Sequence, residues 1–129
     1  MIVSQLLQNG RNKNKMHELS YMMRMVDTAL DACKQNDLEK VTEMEISVGE
    51  ATGLIPHYLK DYYPQCVKDT ILEGSQLTVH FIPVTAKCSD CGTEYNPSKE
   101  NNYRCPSCNS FKATIVHGRE FILDRLTGE

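Results

Sequence analysis

Apolar residues recur at steps of three and four along residues 19–35: Leu19, Met22, Met23, Val26, Ala29, Leu30 and Cys33. That spacing marks one face of an amphipathic helix, with Arg24, Asp27, Asp31 and Lys34 on the other side. The helix is expected to stop near Asn36 and Asp37. Met22 and Met23 read as core and Cys33 as a small buried hydrophobe, while Met25 falls off the stripe. Residues 42–48 switch to a period of two, Met44, Ile46 and Val48 against Glu43, Glu45 and Ser47, which is a half-buried strand. Residues 49–53 form a glycine-bounded turn without the Gly-Lys-Ser/Thr ending of a phosphate loop. A second helix is expected over 56–69, with Leu59, Tyr62, Tyr63, Cys66 and Val67 facing inward. Pro56 suits its first turn, Pro64 predicts a kink near Asp61, and His57 belongs on the surface.

After a break at Glu73-Gly74, residues 77–84 alternate again. Leu77, Val79 and Phe81 share one face; Thr78, His80 and Ile82 share the other, with His80 on the wetter side. Strand, helix and strand in close succession predict a parallel pair joined by a right-handed crossover. Two further strands are expected, a short one over 113–116 and a last one over 120–126 that returns to the first sheet. The fold class is therefore α/β: a small sheet of about three strands packed with two helices, plus an inserted β module. Residues 1–15 end in an Asn/Lys-rich run and read as a flexible N-terminal extension. Residues 16–85 and 119–129 would form the α/β domain and 86–118 the insert, with hinges near 84–87 and 116–119.

The insert is poor in large apolar residues, offering Tyr95, Tyr103, Phe111, Ile115 and Val116. That is too little for an independent core. It does contain Cys88-Ser89-Asp90-Cys91 and Cys105-Pro106-Ser107-Cys108, separated by thirteen residues. Two Cys-x-x-Cys pairs at this separation are the ligand spacing of a four-cysteine, zinc-ribbon-like site. Gly92 and Pro106 suit the tight turns of such knuckles. Four thiolates close the coordination sphere, so zinc here holds structure and activates no water. Two disulfides, a redox-active dithiol pair and iron in the same tetrahedron are the alternatives.

Composition narrows the class further. The chain has 129 residues, with 14 basic against 17 acidic and a net charge of −3. A four-thiolate zinc site would add two more negative charges, which argues against electrostatic nucleic-acid binding. No run of apolar residues is long enough to span a membrane, and residues 1–15 lack the apolar centre of a secretory signal. Six cysteines, four of them in the paired motif, fit a reducing cytoplasm.

One other stretch carries chemistry, Met16-His17-Glu18 ahead of the first helix. On physics alone a His beside a Glu is a solvated helix start, with Glu18 complementing the helix dipole. The arrangement nevertheless resembles a family, the HypA/HybF hydrogenase nickel-incorporation proteins. The resemblance rests on that triplet, Val48-Gly49-Glu50, Glu73-Gly74, both Cys-x-x-Cys pairs and Gly118-Arg119-Glu120, in order, over residues 16–126. It implies a non-catalytic nickel metallochaperone that binds Ni(II) as cargo. Its partners would be a hydrogenase large-subunit precursor and a nickel-insertion GTPase, and in some organisms urease maturation proteins. A homodimer is compatible with the sequence. The nickel ligands carried over by the resemblance are His17, Glu18 and Met16, through the imidazole and neighbouring backbone, beside zinc on Cys88, Cys91, Cys105 and Cys108.

The sequence departs from the family pattern at one point: fifteen residues precede Met16, which therefore has a peptide nitrogen and no free amine. A start at Met16 is the expectation, and the intact mass of the natural protein decides it. Two readings from other classes compete. A zinc-ribbon nucleic-acid or transcription-type module predicts steeply salt-dependent binding to DNA or RNA. A thiol–disulfide enzyme predicts a metal-free protein whose cysteines cycle.

Overall fold

The computed structural model describes residues 16–129, with side chains from His17 onward; the expected flexible extension over 1–15 lies outside the described residues. Helix α1 spans Met16–Gln35, with Glu18 in its first turn and Lys34 in its last, both favourable to the helix dipole. It ends as expected. Asp37 takes a left-handed conformation (φ 55°), and Leu38 N–H closes back onto the Cys33 carbonyl at 3.0 Å.

Strand β1 (Val41–Gly49) follows, then a single tight turn at Glu50–Thr52, helix α2 (Pro56–Val67) and strand β2 (Gln76–Ile82). β1 and β2 are parallel, with Met44 opposite Leu77 and Ile46 opposite Val79, as the strand–helix–strand pattern requires. The α2 helix runs unbroken through the exposed Pro64, ending two residues before the expected Asp69, which has φ 63°. After β3 (Thr85–Cys88), β4 (Glu94–Tyr95) and β5 (Ala113–His117), the last strand β6 (Phe121–Gly128) returns antiparallel to β1. Two separate three-stranded sheets result, β2-β1-β6 and β4-β3-β5.

Both helices lie on one face of the first sheet; α1 packs against α2 and β6, and α2 against β2. The core they enclose includes Met22, Met25, Met44, Ile46, Val48, Leu59, Leu72 and Phe121. Burying each such side chain stabilises by about 1.5–3 kcal/mol. The helix face differs in detail from its predicted stripe. Met25 and Tyr21 are buried, whereas Met23 is 54% exposed. The Tyr21 ring meets Phe121 of β6 edge-on at 5.3 Å, which turns residues 21 and 25 toward the sheet and leaves Met23 at the open seam with α2. Phe81 is also 49% exposed although it shares the inner face, because it sits at the end of an edge strand that the helices do not reach.

The opposite face of the sheet is polar and open. His80 is on it, as expected, 3.1 Å from Glu45, and Glu45 also pairs with Arg125 at 3.5 Å. These exposed pairs contribute little to stability.

The two crossings into and out of the second sheet were expected to be hinges, yet both are tied to the end of β1. Val84 N–H donates to Glu50 Oε1 at 2.8 Å, Ala51 N–H to the Gly118 carbonyl at 2.7 Å, and Gly49 N–H to the Glu120 carbonyl at 2.7 Å. Gly118 N–H reaches Glu120 Oε1 at 2.6 Å. Burial pushes the Glu120 carboxyl up, but the N–H groups of Glu120 and Gly118 and the nearby His117 outweigh this and hold it below the ordinary 4.5. A depressed carboxylate adds stability above that value and loses it as the pH falls through the folded one, so this tie survives at neutral pH.

The joint has no room for side chains. A Cβ on Gly49 would sit 2.1 Å from the Gly118 oxygen, while one on Gly53 (φ 75°) would meet nothing within 4 Å. We expect Gly49→Ala to cost about 3 kcal/mol or more through overpacking against backbone. Gly53→Ala should cost only the left-handed penalty of about 1–2 kcal/mol. Thermal unfolding of the two variants, side by side, checks the order; equal losses would mean that the joint is loosely packed.

Candidate metal centre

The second sheet is built around sulfur. Its buried cluster consists of Ala86, Cys88, Tyr95 and Cys105, so half of its members are cysteines. Tyr95 is the one large apolar side chain among them, worth about 2–3 kcal/mol on burial. Ordering the backbone takes more than about 1 kcal/mol per residue, and ladder hydrogen bonds recover only part of it. A covalent-strength crosslink is the remaining candidate.

The geometry for one is present. The ligand atoms of Cys88, Cys91, Cys105 and Cys108 all lie within 4.8 Å of one another. The Cys88–Cys108 and Cys91–Cys105 sulfurs are 3.5 Å apart. A tetrahedron with metal–sulfur bonds of about 2.3 Å has sulfur–sulfur edges of about 3.8 Å, within the observed range. A disulfide needs about 2.05 Å, and all six cysteines are free thiols. The donor set therefore fits a closed, structural four-sulfur site that could hold zinc.

Each knuckle positions its sulfurs in the same way. Gly92 N–H donates to the Cys88 carbonyl at 2.9 Å, and Asn109 N–H to the Cys105 carbonyl at 2.8 Å. Both residues are left-handed, Gly92 at φ 78° and Asn109 at φ 63°. Gly92 was legible in the sequence. Asn109 was not singled out, although Asn is the side-chain-bearing residue that best tolerates this conformation. Thr93 ties the knuckles together, its Oγ1 standing 3.2 Å from both the Cys91 sulfur and Ser107 Oγ.

Three of the thiols are shifted by their neighbours, in different directions. Its contacts with the Thr93 side chain and N–H bring Cys91 down to about 6, and the Cys91 N–H lowers Cys88. The Ser110 N–H pulls Cys108 down, but its bond to Cys88, burial and the other two sulfurs prevail and raise it to about 12.

The Met16-His17-Glu18 triplet is not in this cluster; among the described residues the four cysteines are the one group brought within ligating distance. His17 is half-buried in the first turn of α1. Glu18 is only 4% exposed, and its Oε2 accepts the Ile55 N–H at 3.0 Å, at the start of α2. Its carboxylate therefore clamps two helix starts together. That bond sits in a short chain of contacts, since Leu54 N–H donates to Thr52 Oγ1 and Thr52 Oγ1 to the Gly49 carbonyl. Sequence reasoning offered Glu18 a helix-dipole role but gave no sign of the Ile55 partner, which is 37 residues away.

Comparison with known proteins bears on both regions. The model of the family described as hydrogenase/urease nickel incorporation, metallochaperone, HypA, matches residues 16–128. A protein of Methanocaldococcus jannaschii named hydrogenase maturation factor HypA is 34% identical over 121 residues, covering 88% of this chain and 98% of the relative. A relative of the same name from Aquifex aeolicus is 30% identical over 111 residues, covering 86% and 96%. The solution structure of the Ni metallochaperone HypA from Helicobacter pylori shares the fold. It has a TM-score of 0.62 and 19% identity, over 86% of this chain and 96% of that one.

Two outcomes test the site. Cys105→Ser should unfold β3–β5 while the dispersed amide signals of α1, β1 and β6 persist; loss of the whole spectrum would mean that the first sheet depends on the metal as well. Glu18→Ala should cost about 2 kcal/mol for a buried charge-assisted hydrogen bond and Glu18→Gln distinctly less. Equal stability of all three proteins in urea would contradict the clamp.

Proposed function

We propose a function from the premise that this chain belongs to the HypA family of hydrogenase/urease nickel-incorporation metallochaperones: it carries Ni(II) as cargo and releases it during maturation of a [NiFe]-hydrogenase. Zinc in the cysteine quartet has a purely structural part. The recipients of this reading are a hydrogenase large-subunit precursor and a nickel-insertion GTPase, with urease maturation proteins as a second client. The setting is the cytoplasm. No helix among the described residues is long and apolar enough to cross a membrane. The chain itself catalyses nothing, since its sulfur site has no open position at which a substrate could react.

Nickel is assigned to the start of α1. Ni(II) favours square-planar nitrogen coordination, and His17 offers an imidazole beside the backbone nitrogens of Met16, His17 and Glu18. The observation that supports this is the position of the triplet in a helix that begins at Met16. N–H groups in the first turn of a helix are the ones that can lack an intrahelical acceptor, and a metal there would draw on the His17 and Glu18 amides. With its carboxylate held by Ile55, Glu18 contributes through its amide and keeps that backbone in place. A site at a helix end with a half-buried imidazole can pass its ion to an acceptor. A closed sulfur tetrahedron cannot do so readily.

The test is nickel binding to zinc-loaded protein by equilibrium dialysis with elemental analysis, on the chain as given and on one beginning at Met16. His17→Ala should abolish stoichiometric Ni(II) uptake in whichever form binds, with zinc content and helical signal unchanged. Undiminished uptake by the variant would place the nickel site elsewhere.

A further inference from the structure

The cysteines of the quartet are not equally covered. Cys88 and Cys105, the first of each pair, are 2% and 1% exposed, whereas Cys91 and Cys108, the second of each pair, are exposed. The fold gives the reason. Cys88 ends β3 with Ala113 of β5 opposite it, and Cys105 packs into the same buried cluster. Cys91 and Cys108 come three residues later, in the turns that leave that cluster. The sulfur site therefore has a closed side and an open side, and the open side presents two cysteines to water.

Each exposed sulfur has a buried sulfur of the other knuckle 3.5 Å away, Cys91 with Cys105 and Cys108 with Cys88. Contacts that need no metal hold the two knuckles against each other. Ser110 Oγ donates to Asp90 Oδ2, Thr93 Oγ1 stands 3.2 Å from Ser107 Oγ, and Ser89 N–H donates to the Lys112 carbonyl at 2.8 Å. These ties act across the same gap that the facing sulfurs share. The two cysteines outside the quartet provide the contrast. Cys33 is 1% exposed in the main core and Cys66 is half-buried, and burial pushes both thiols up.

Cysteine oxidation follows thiolate character and exposure, and it stays reversible where a second sulfur stands close enough to resolve it. Metal ligands are thiolates, so in the zinc-loaded chain Cys91 and Cys108 combine all three conditions. We propose that the open side of the quartet is a modification site for hydroperoxides, entered at Cys91 or Cys108 and resolved across the knuckles as a Cys91–Cys105 or Cys88–Cys108 disulfide. The Cys91 thiolate attacks one peroxide oxygen; the O–O bond breaks, hydroxide leaves and a sulfenic acid remains on Cys91. The Cys105 thiolate then attacks that sulfur; the S–O bond breaks, a second hydroxide leaves and the disulfide forms. The sulfur pair loses two electrons and the peroxide gains them. Two thiolates no longer close a four-sulfur sphere, so the module loses its metal crosslink, while the first sheet keeps a core of its own. The proposal rests on the structural-zinc reading of the quartet and not on the nickel assignment.

The experiment uses the full chain loaded with zinc at neutral pH, its metal content measured first. A chain that takes up no zinc would sink the four-sulfur reading and this proposal together. In loaded protein treated briefly with N-ethylmaleimide, mass spectrometry of singly modified molecules should find the label on Cys91 or Cys108. In a separate sample, one equivalent of hydrogen peroxide should release zinc to a chromogenic chelator in step with the loss of two thiols. Peptide mapping should then find the disulfide between knuckles, with Cys33 and Cys66 still reduced, and dithiothreitol with added zinc should restore the metal content. Four results from loaded protein would each overturn the proposal alone: a first label on Cys88, Cys105, Cys33 or Cys66, oxidation of Cys33 or Cys66 ahead of the quartet, zinc retained while two thiols are lost, or disulfides confined within the knuckles as Cys88–Cys91 and Cys105–Cys108.

Discussion

Four sulfurs in contact distance are the constraint from which the second sheet takes its form. Without them, β3 to β5 would consist of exposed strands around one tyrosine and one alanine. Such a sheet cannot offset the entropy of ordering its backbone. With them, two tight turns, each closed by a left-handed residue, aim every thiol at one point. The same economy explains why β5 can remain fully exposed: its pairing with β3, next to the sulfur cluster, and not a buried face of its own, is what anchors it.

The first sheet is organised on the opposite principle, by ordinary burial of methionine, leucine, isoleucine and valine between two helices and three strands. What joins the two halves is a compact backbone joint, Gly49 against Gly118, with Glu50 and Glu120 satisfying the N–H groups of the crossing strands. The turn that leaves this joint continues through Thr52 and Leu54 to Ile55, where the Glu18 carboxylate waits. The N-terminal triplet and the module are therefore attached to two ends of one short, hydrogen-bonded turn.

Much of this was legible in the residues. Periods of two and near 3.6 placed both helices and the three strands of the main sheet, and the cysteine spacing announced the quartet. What periodicity could not convey was rotation and reach. Met23 and Met25 are two positions apart on a helix whose orientation is set by Tyr21 meeting Phe121 edge-on, a contact between distant segments. Phe81 alternates correctly and still meets water, because strand alternation names a face and not what covers it. The expected hinges proved tethered for a similar reason. Glu50 and Glu120 look like surface acids until the fold brings backbone N–H groups to them. The triplet was recognisable by resemblance alone, and its physical logic emerged only once Glu18 was seen buried.

On the proposed reading one ion is held for scaffolding and another carried for delivery, and the two would ask for different donors: soft, closed and anionic in one case, nitrogen-rich and accessible in the other. X-ray absorption at the zinc and nickel edges of protein loaded with both metals separates them directly. Zinc should show sulfur neighbours alone at about 2.3 Å, and nickel a shell of nitrogen or oxygen without sulfur. Sulfur in the nickel shell, or nitrogen in the zinc shell, would contradict the division of roles between the cysteine quartet and the start of α1.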